Sequence, residues 1–252
     1  MLRSLKLLRQ YLILAVDGSI GRVHDFYFED DTWTVRYMIA KTGPWLTGRK
    51  VLISTGALGQ ADWSAHTFGV TLTREQVRRC PPIDADKPVS RQQEVELHAH
   101  FGWPHYWLES PFALAPPLVE TLPDPGETKT AAKGKSDPHL RSVRAVTGYR
   151  VHASDGDLGR VRDFIADDEV WLIRYLVIEF GAWMPGKRVL ISPQWLSSID
   201  CDRRRVNVSM DQKCILSSPE FHPEEAVNRA YEEKLYDYYG RPIYWAERVS
   251  RK

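Results

Sequence analysis

The ten residues DGSIGRVHDF, Asp17 to Phe26, return almost unchanged as DGDLGRVRDF, Asp155 to Phe164. Two readings compete for the phrase: a glycine-rich loop that grips phosphate, or the corner of a small β fold built twice. A phosphate loop of the P-loop kind needs Gly-Lys-Ser/Thr opening a helix, whereas Arg22-Val23-His24-Asp25-Phe26 after Gly21 reads as strand. The GXXG clamp for single-stranded RNA sits between helices, and these flanks are not helical. The structural reading asks for less. Asp17-Gly18 and Asp155-Gly156 make tight hairpin turns, and Gly21 and Gly159 permit a bend or bulge.

A shift of 138 residues aligns Tyr11–Trp107 with Tyr149–Trp245 without a gap, with about 32 of 97 positions identical. A repeat of that length means a duplicated domain and not a solenoid. The expected organisation is one domain over residues 1–108, a Pro/Gly-rich linker over 109–140, and a second domain over 141–252. Each copy opens with short apolar runs broken by turns: 11–16, 22–28, 33–41, 51–54 and 67–72 in the first. Trp33, Val35, Tyr37 and Ile39 alternate onto one face, as do Trp171, Ile173, Tyr175 and Val177. This pattern predicts a mainly β fold with short helices: two small β-barrels, each followed by a C-terminal helix. The spacing predicts the first of those helices after Ser90, in a capping box with Gln93, and the second from Pro223-Glu224-Glu225. Both end at Gly102 or Gly240, with Pro104 or Pro242 beyond.

Composition narrows the function. The net charge is +1 over 252 residues. Residues 1–126 carry 13 Lys/Arg against 14 Asp/Glu, and 127–252 carry 21 against 19, so neither half has a domain-wide basic field for nucleic acid. Arg203-Arg204-Arg205 reads as a solvated turn. The three cysteines have no CxxC spacing, which points to a reducing cytoplasm. The opening MLRSLKLLRQYLILAVDG is too short in its apolar run for a membrane span and lacks a cleavage site, so a soluble chain is expected.

Side chains shared by the copies carry the site argument. Asp25 and Arg36 recur as Asp163 and Arg174; a hairpin turning at Asp30-Asp31 would face each acid to its arginine as a cross-strand ion pair. His98, His100 and His105 suggest a metal cluster, but His98 and His100 are two apart on the expected helix and point in different directions. The second copy has Tyr236, Tyr238 and Ile243 there, and no histidine or cysteine is common to both copies. No catalytic, metal or cofactor-binding residue is therefore expected; an enzyme would have to work from one copy, around those histidines. The loop TGPWLTGRK, 42–50, matches FGAWMPGKR, 180–188, each with a tryptophan between glycines and paired cations after it. Trp45, Arg49, Lys50, Trp183, Lys187 and Arg188 form the candidate partner-binding set, because aromatics flanked by arginine are enriched in binding hot spots.

The order DGxxGRVxDF, WxxRY, then a GxWxxG loop running into RKVLIS resembles the PRC-barrel family; DKPVSRQQEVELH and GWPHYW resemble the helical extension of its stand-alone bacterial members. The resemblance covers both copies. It implies a small β-barrel of the kind in the cytoplasmic part of the photosynthetic reaction-centre H subunit and in a ribosomal RNA processing factor. It further implies a non-catalytic scaffold or assembly module with protein partners, self-association among them. Peripheral association with a membrane or electron-transfer complex is compatible with it. An RNA-associated assembly factor is the alternative. No membrane helix like that at the H subunit's N-terminus is expected from residues 1–18, and a second PRC-like copy stands where the ribosome factor has a different barrel.

Overall fold

The computed structural model describes residues 1–46, 48–81, 89, 91–108, 139–181 and 184–245. The first half comprises β1 (Leu2–Ser4), α1 (Leu5–Leu8), β2 (Leu12–Ala15), β3 (Gly18–Glu29), β4 (Val35–Thr42), β5 (Lys50–Ser54), β6 (Leu58–Asp62), β7 (Thr67–Val70), α2 (Arg74–Arg79) and α3 (Arg91–Phe101). The second half repeats them as β8 (Leu140–Ser142), α4 (Val143–Val146), β9 (Arg150–Ala153), β10 (Gly156–Asp167), β11 (Leu172–Phe180), β12 (Arg188–Ile191), β13 (Leu196–Asp200), β14 (Arg205–Val208), α5 (Gln212–Leu216) and α6 (Arg229–Tyr239). The protein is mainly β with short helices.

The opening phrase is the hairpin between β2 and β3. Ala15 pairs with Gly18 across a two-residue turn, and Gly18 sits at φ +137. The ladder then slips between Ile13↔Gly21 and Leu14↔Ser19, leaving Ile20 as the extra residue of a bulge, turned into the core. Gly21 lets β4 come close, because a Cβ there would lie 2.1 Å from the Lys41 carbonyl oxygen. The same clash, 2.1 Å from the Glu179 oxygen, would meet a Cβ at Gly159, and Leu158 is the bulged residue. The phrase is used twice because the corner is used twice.

Each half forms a seven-stranded sheet. The order is β5-β4-β3-β2-β7-β6 in one and β12-β11-β10-β9-β14-β13 in the other. The closed barrels expected from the strand count are not formed by these ladders, which end at β5 and β6 and at β12 and β13. The physical reason lies in the 3₁₀ turns after Ser54 and Ser192. Each serine side chain accepts from the backbone N–H two residues on, so the chain leaves the ladder before the next strand begins.

The seventh strand of each sheet comes from the other half. β1 pairs with β10, Leu2↔Asp167 to Ser4↔Ile165, and β8 pairs with β3, Glu29↔Leu140 to Tyr27↔Ser142. The repeat thus reaches back to Leu2: Leu-Arg-Ser opens both arms, and each arm crosses over. Leu5 and Leu8, and Val143 and Val146, are buried at these docks. Between the sheets, the hairpin tips meet directly. Val35 N–H donates to Trp171 O at 2.7 Å, and Ile173 N–H donates to Trp33 O at 2.9 Å. Trp171 stacks on Phe26 at 5.9 Å, Phe28 lies 5.8 Å from Phe164, and the buried apolar residues of both halves form one continuous core. The strand expected to begin at Trp33 begins at Val35, because Trp33 sits at φ +60 in the turn.

The second C-terminal helix begins at Arg229 rather than at Pro223. Asn228 is its cap, its side chain accepting from Tyr231 N–H at 2.9 Å. Gly240 ends that helix at φ +59. Ser90 lies outside the described residues.

Candidate functional site

Asp25 and Asp163 stand at the crossover. Asp25 accepts from Ser142 Oγ at 2.6 Å and from Arg144 N–H at 3.0 Å, capping the first turn of α4. Asp163 does the same for the other arm, accepting from Ser4 Oγ and from Lys6 N–H. Burial pushes both carboxyls above the usual aspartate range, while these hydrogen bonds pull the other way. Beside them, Arg141 reaches Asp30 at 2.7 Å and Arg3 reaches Asp168 at 3.4 Å. The expected pairing of Asp25 with Arg36, and of Asp163 with Arg174, is not formed. The turn is longer than Asp30-Asp31, with Glu29 N–H donating to Thr34 O and Asp167 pairing with Leu172. One bulge, between Tyr27 and Phe28 or between Ile165 and Ala166, adds a further shift, so that Asp25 faces Ile39 and Asp163 faces Val177. Arg36 binds Glu29 instead, at 2.7 Å, and Arg174 lies 3.5 Å from Asp167.

The second duplicated arrangement is a buried glutamate. Glu94 on α3 is wholly buried and accepts from Tyr37 at 2.9 Å and Tyr106 at 2.6 Å, with Arg91 at 3.0 Å. Glu232 on α6 accepts from Tyr175 at 2.7 Å and Tyr244 at 2.8 Å, with Arg229 at 2.9 Å. Arg36 and Arg174 each lie 4.0 Å over the ring of Tyr106 or Tyr244, and Arg91 and Arg229 cover Trp107 and Trp245. The Tyr-Trp pair that closes each copy is thus a cation–π lid on a carboxylate. Burial raises the Glu94 carboxyl, but hydrogen bonds from His139, Tyr106 and Tyr37 outweigh it and hold the group below its ordinary value. Burial raises the Tyr37 and Tyr175 phenols, so both stay protonated donors.

The histidines serve this network. His98 Nδ1 lies 2.8 Å from the Pro104 carbonyl, which can only accept, so Nδ1 carries the proton and Nε2 accepts from Tyr37 Oη at 2.7 Å, the one Tyr37 proton being shared between His98 and Glu94. Burial lowers the His98 pKa. His105 stacks on His98 at 5.5 Å, while His100 turns away to the Gln76 carbonyl at 3.1 Å. Among the described residues, no three His, Cys, Asp or Glu side chains are grouped to hold a metal ion. Cys80, Cys201 and Cys214 are not joined in disulfides, and burial pushes Cys80 up to about 12.

The paired cations of the tryptophan loops point inward. Arg49 Nη2 donates to the Val77 and Cys80 carbonyls at 3.3 and 2.7 Å, closing the end of α2. Lys187, its equivalent, donates to the Leu216 carbonyl at the end of α5. Arg188 pairs with Glu179 at 3.1 Å, and Lys50 is engaged as well. The Trp45 side chain and the whole of Trp183 lie outside the described residues. Next to these loops a groove covers the repeated phrase in each half. One of about 640 Å³ is lined by Ser19, Gly21, Arg22, His24 and Lys41; the other, about 450 Å³, by Asp157, Gly159, Arg160, Arg162 and Glu179.

The remaining turn contacts are also duplicated. Asp17 accepts from Arg74 N–H and Asp155 from Gln212 N–H, both at 2.8 Å. Arg22 donates to Gln10 O at 2.8 Å, and Arg160 to Gly148 O at 3.1 Å. Asp62 caps the turn at Ala65 N–H and Asp200 the turn at Arg203 N–H, at 2.9 and 2.8 Å.

Fold and contacts together define a two-sheet, mainly β protein whose halves exchange arms. Among the described residues, no helix is long and apolar enough to cross a membrane. No family model matches the chain, and no curated protein matches it.

Proposed function

We propose that the chain is a non-catalytic interaction module, a tandem PRC-barrel-like protein that presents its surface to partner proteins in an assembly. One observation carries this reading. Asp17, Arg22, Asp25, Arg36, Ser54, Asp62, Arg91 and Glu94 each have the same residue 138 positions on, and each pair makes the same kind of internal contact in both halves. Duplicated polarity that is consumed in turns, caps and a buried cradle serves the fold; a duplicated enzyme would keep a reactive group facing a cavity. The two tryptophan loops, residues 42–50 and 180–188, are the proposed contact surface, since their cations are anchored by helix ends and hold the loop base in place. Two such surfaces on one body would bind a two-site partner with avidity if its spacing matches. A membrane-associated complex is one assembly that such a module can serve.

The test is affinity capture from the source cells, soluble and membrane fractions apart, beside the variant Trp45→Ala/Trp183→Ala. The expected result is a defined set of proteins retained by the natural chain and lost with the variant. Retention of the same set by both would remove the loops from the reading. Specific turnover of a small molecule by the purified chain would overturn the non-catalytic assignment.

A further inference from the structure

We propose that the second half carries a recognition site for an oligophosphate, two or more linked phosphate groups, free or esterified. Where α4 approaches the start of β9, a cavity of about 560 Å³ is lined by Arg144, Arg150, Arg160, Arg203 and Arg204, with no carboxylate among its lining residues. All five arginines are exposed. Arg160 is steadied by the Gly148 carbonyl at 3.1 Å, and Arg144 Nη1 lies 3.2 Å from His24 Nε2. Arg203 is 3.7 Å from Asp200, with its side chain 78% exposed. Among the described residues, no ion pair to a carboxylate engages Arg144, Arg150, Arg160 or Arg204. The adjoining groove shares Arg150 and Arg160; its own acids are engaged, Asp157 by His152 at 2.9 Å and Glu179 by Arg162 at 2.7 Å.

The first half is the internal control. Its equivalent positions hold Lys6, Leu12, Arg22, Ala65 and His66, two cations where the second half has five. The backbone is the same: Leu12 N–H donates to His66 O at 2.9 Å and Arg150 N–H to Arg204 O at 3.0 Å, with His66 at φ 53 and Arg204 at φ 52. The fold therefore does not ask for these arginines, and like charges crowded around a cavity with no carboxylate in its lining work against it. A compact ligand with several negative charges offsets that repulsion, and arginine forks match phosphate oxygens two at a time. Asp157, Glu179 and Asp200 around the rim confine the positive surface to one pocket, unlike the long stripe that a nucleic-acid backbone needs.

The experiment is calorimetric titration of the full chain with sodium tripolyphosphate, at low and at physiological salt. One site per chain is expected, weakening as salt rises. In Arg150→Leu/Arg203→Ala/Arg204→His, which installs the first half's own residues, the affinity should fall at least about tenfold. The thermal midpoint should stay within about 2 °C. The charge-matched control Arg78→Ala/Arg79→Ala/Lys234→Ala should bind like the natural chain. Vesicles containing phosphatidylinositol bisphosphate, against vesicles of equal charge made with phosphatidylserine, separate the sources. Retention on the former alone, displaced by tripolyphosphate, assigns a lipid headgroup; tripolyphosphate binding without retention on either assigns a soluble phosphate compound. The proposal is overturned if the natural chain does not bind tripolyphosphate, or if the three-arginine variant and the control bind equally.

Discussion

Both halves bury one glutamate against two tyrosines and an arginine, yet they finish the cradle differently. Glu94 receives a further bond from His139 at 2.6 Å, at the foot of the arm that arrives from the second half. Tyr37 there faces His98, whereas Tyr175 in the second half faces Tyr236, which is also hydrogen-bonded to Ser192. The contacts touching the carboxylate are kept because an unpartnered buried charge is costly. One step out, a histidine or a tyrosine fills the space equally well. The arginine face shows the other extreme: one backbone, exposed on both halves, with five cations on one and two on the other. Burial and partnering, not position in the fold, decide which residues the duplication has kept alike.

The largest expected effect follows from emptying a cradle. Glu232→Ala should cost about 3 kcal/mol, read as a lower urea midpoint, because Tyr175, Tyr244 and Arg229 lose their common acceptor. Glu94→Ala should cost at least as much and also free the end of the arm at His139. An equal, small loss for both would mean that the cradles are solvated and the comparison is void.

A smaller loss, about 2 kcal/mol, is expected from Asp25→Ala and Asp163→Ala, each of which removes a cap and a serine bond. The two should differ in place. Hydrogen exchange should rise first over residues 140–146 in Asp25→Ala and over residues 2–8 in Asp163→Ala. A rise over residues 2–8 in Asp25→Ala would mean that each arm folds onto its own half. Gly21→Ala and Gly159→Ala should each cost roughly 1–3 kcal/mol, since a Cβ 2.1 Å from a backbone oxygen forces the strands apart.

The pH dependence is the finest of these comparisons. Glu94 sits below its ordinary value of 4.5 in the folded chain. Its contribution is therefore present above that value and is lost as pH falls through the folded pKa. Glu94→Gln should flatten the stability profile below about pH 4.5, on top of an overall loss of about 1 kcal/mol. An unchanged slope in acid would show that Glu94 is not held ionised by its partners.

The duplication itself was legible from Tyr11 onward, and so were the turn at Gly18 and a bulge beside Gly21, which falls on Ile20. The arms were not, because between residues 2 and 10 only Leu2-Arg3-Ser4 matches the second copy identically. Their crossing is illegible for a deeper reason. When two sheets offer equivalent docking edges, an arm's own sequence suits either, and the connection decides. The Asp25–Arg36 register failed through a longer turn and a bulge that hydrophobic alternation does not announce. Glu94 was visible as a shared polar residue, but its burial depends on Tyr106, twelve residues on, folding back over it. The odd arginines were visible as Arg203-Arg204-Arg205; Arg144, Arg150 and Arg160 join them only in three dimensions.

Arm exchange should make the two halves unfold as one cooperative body. Native-state hydrogen exchange of the full chain, natural and Asp25→Ala, tests it most directly. The slowest amides of β4 and of β11 should share one opening free energy, and Asp25→Ala should lower both by the same amount. If β4 loses protection while β11 keeps its own, the halves unfold independently and the claim is wrong.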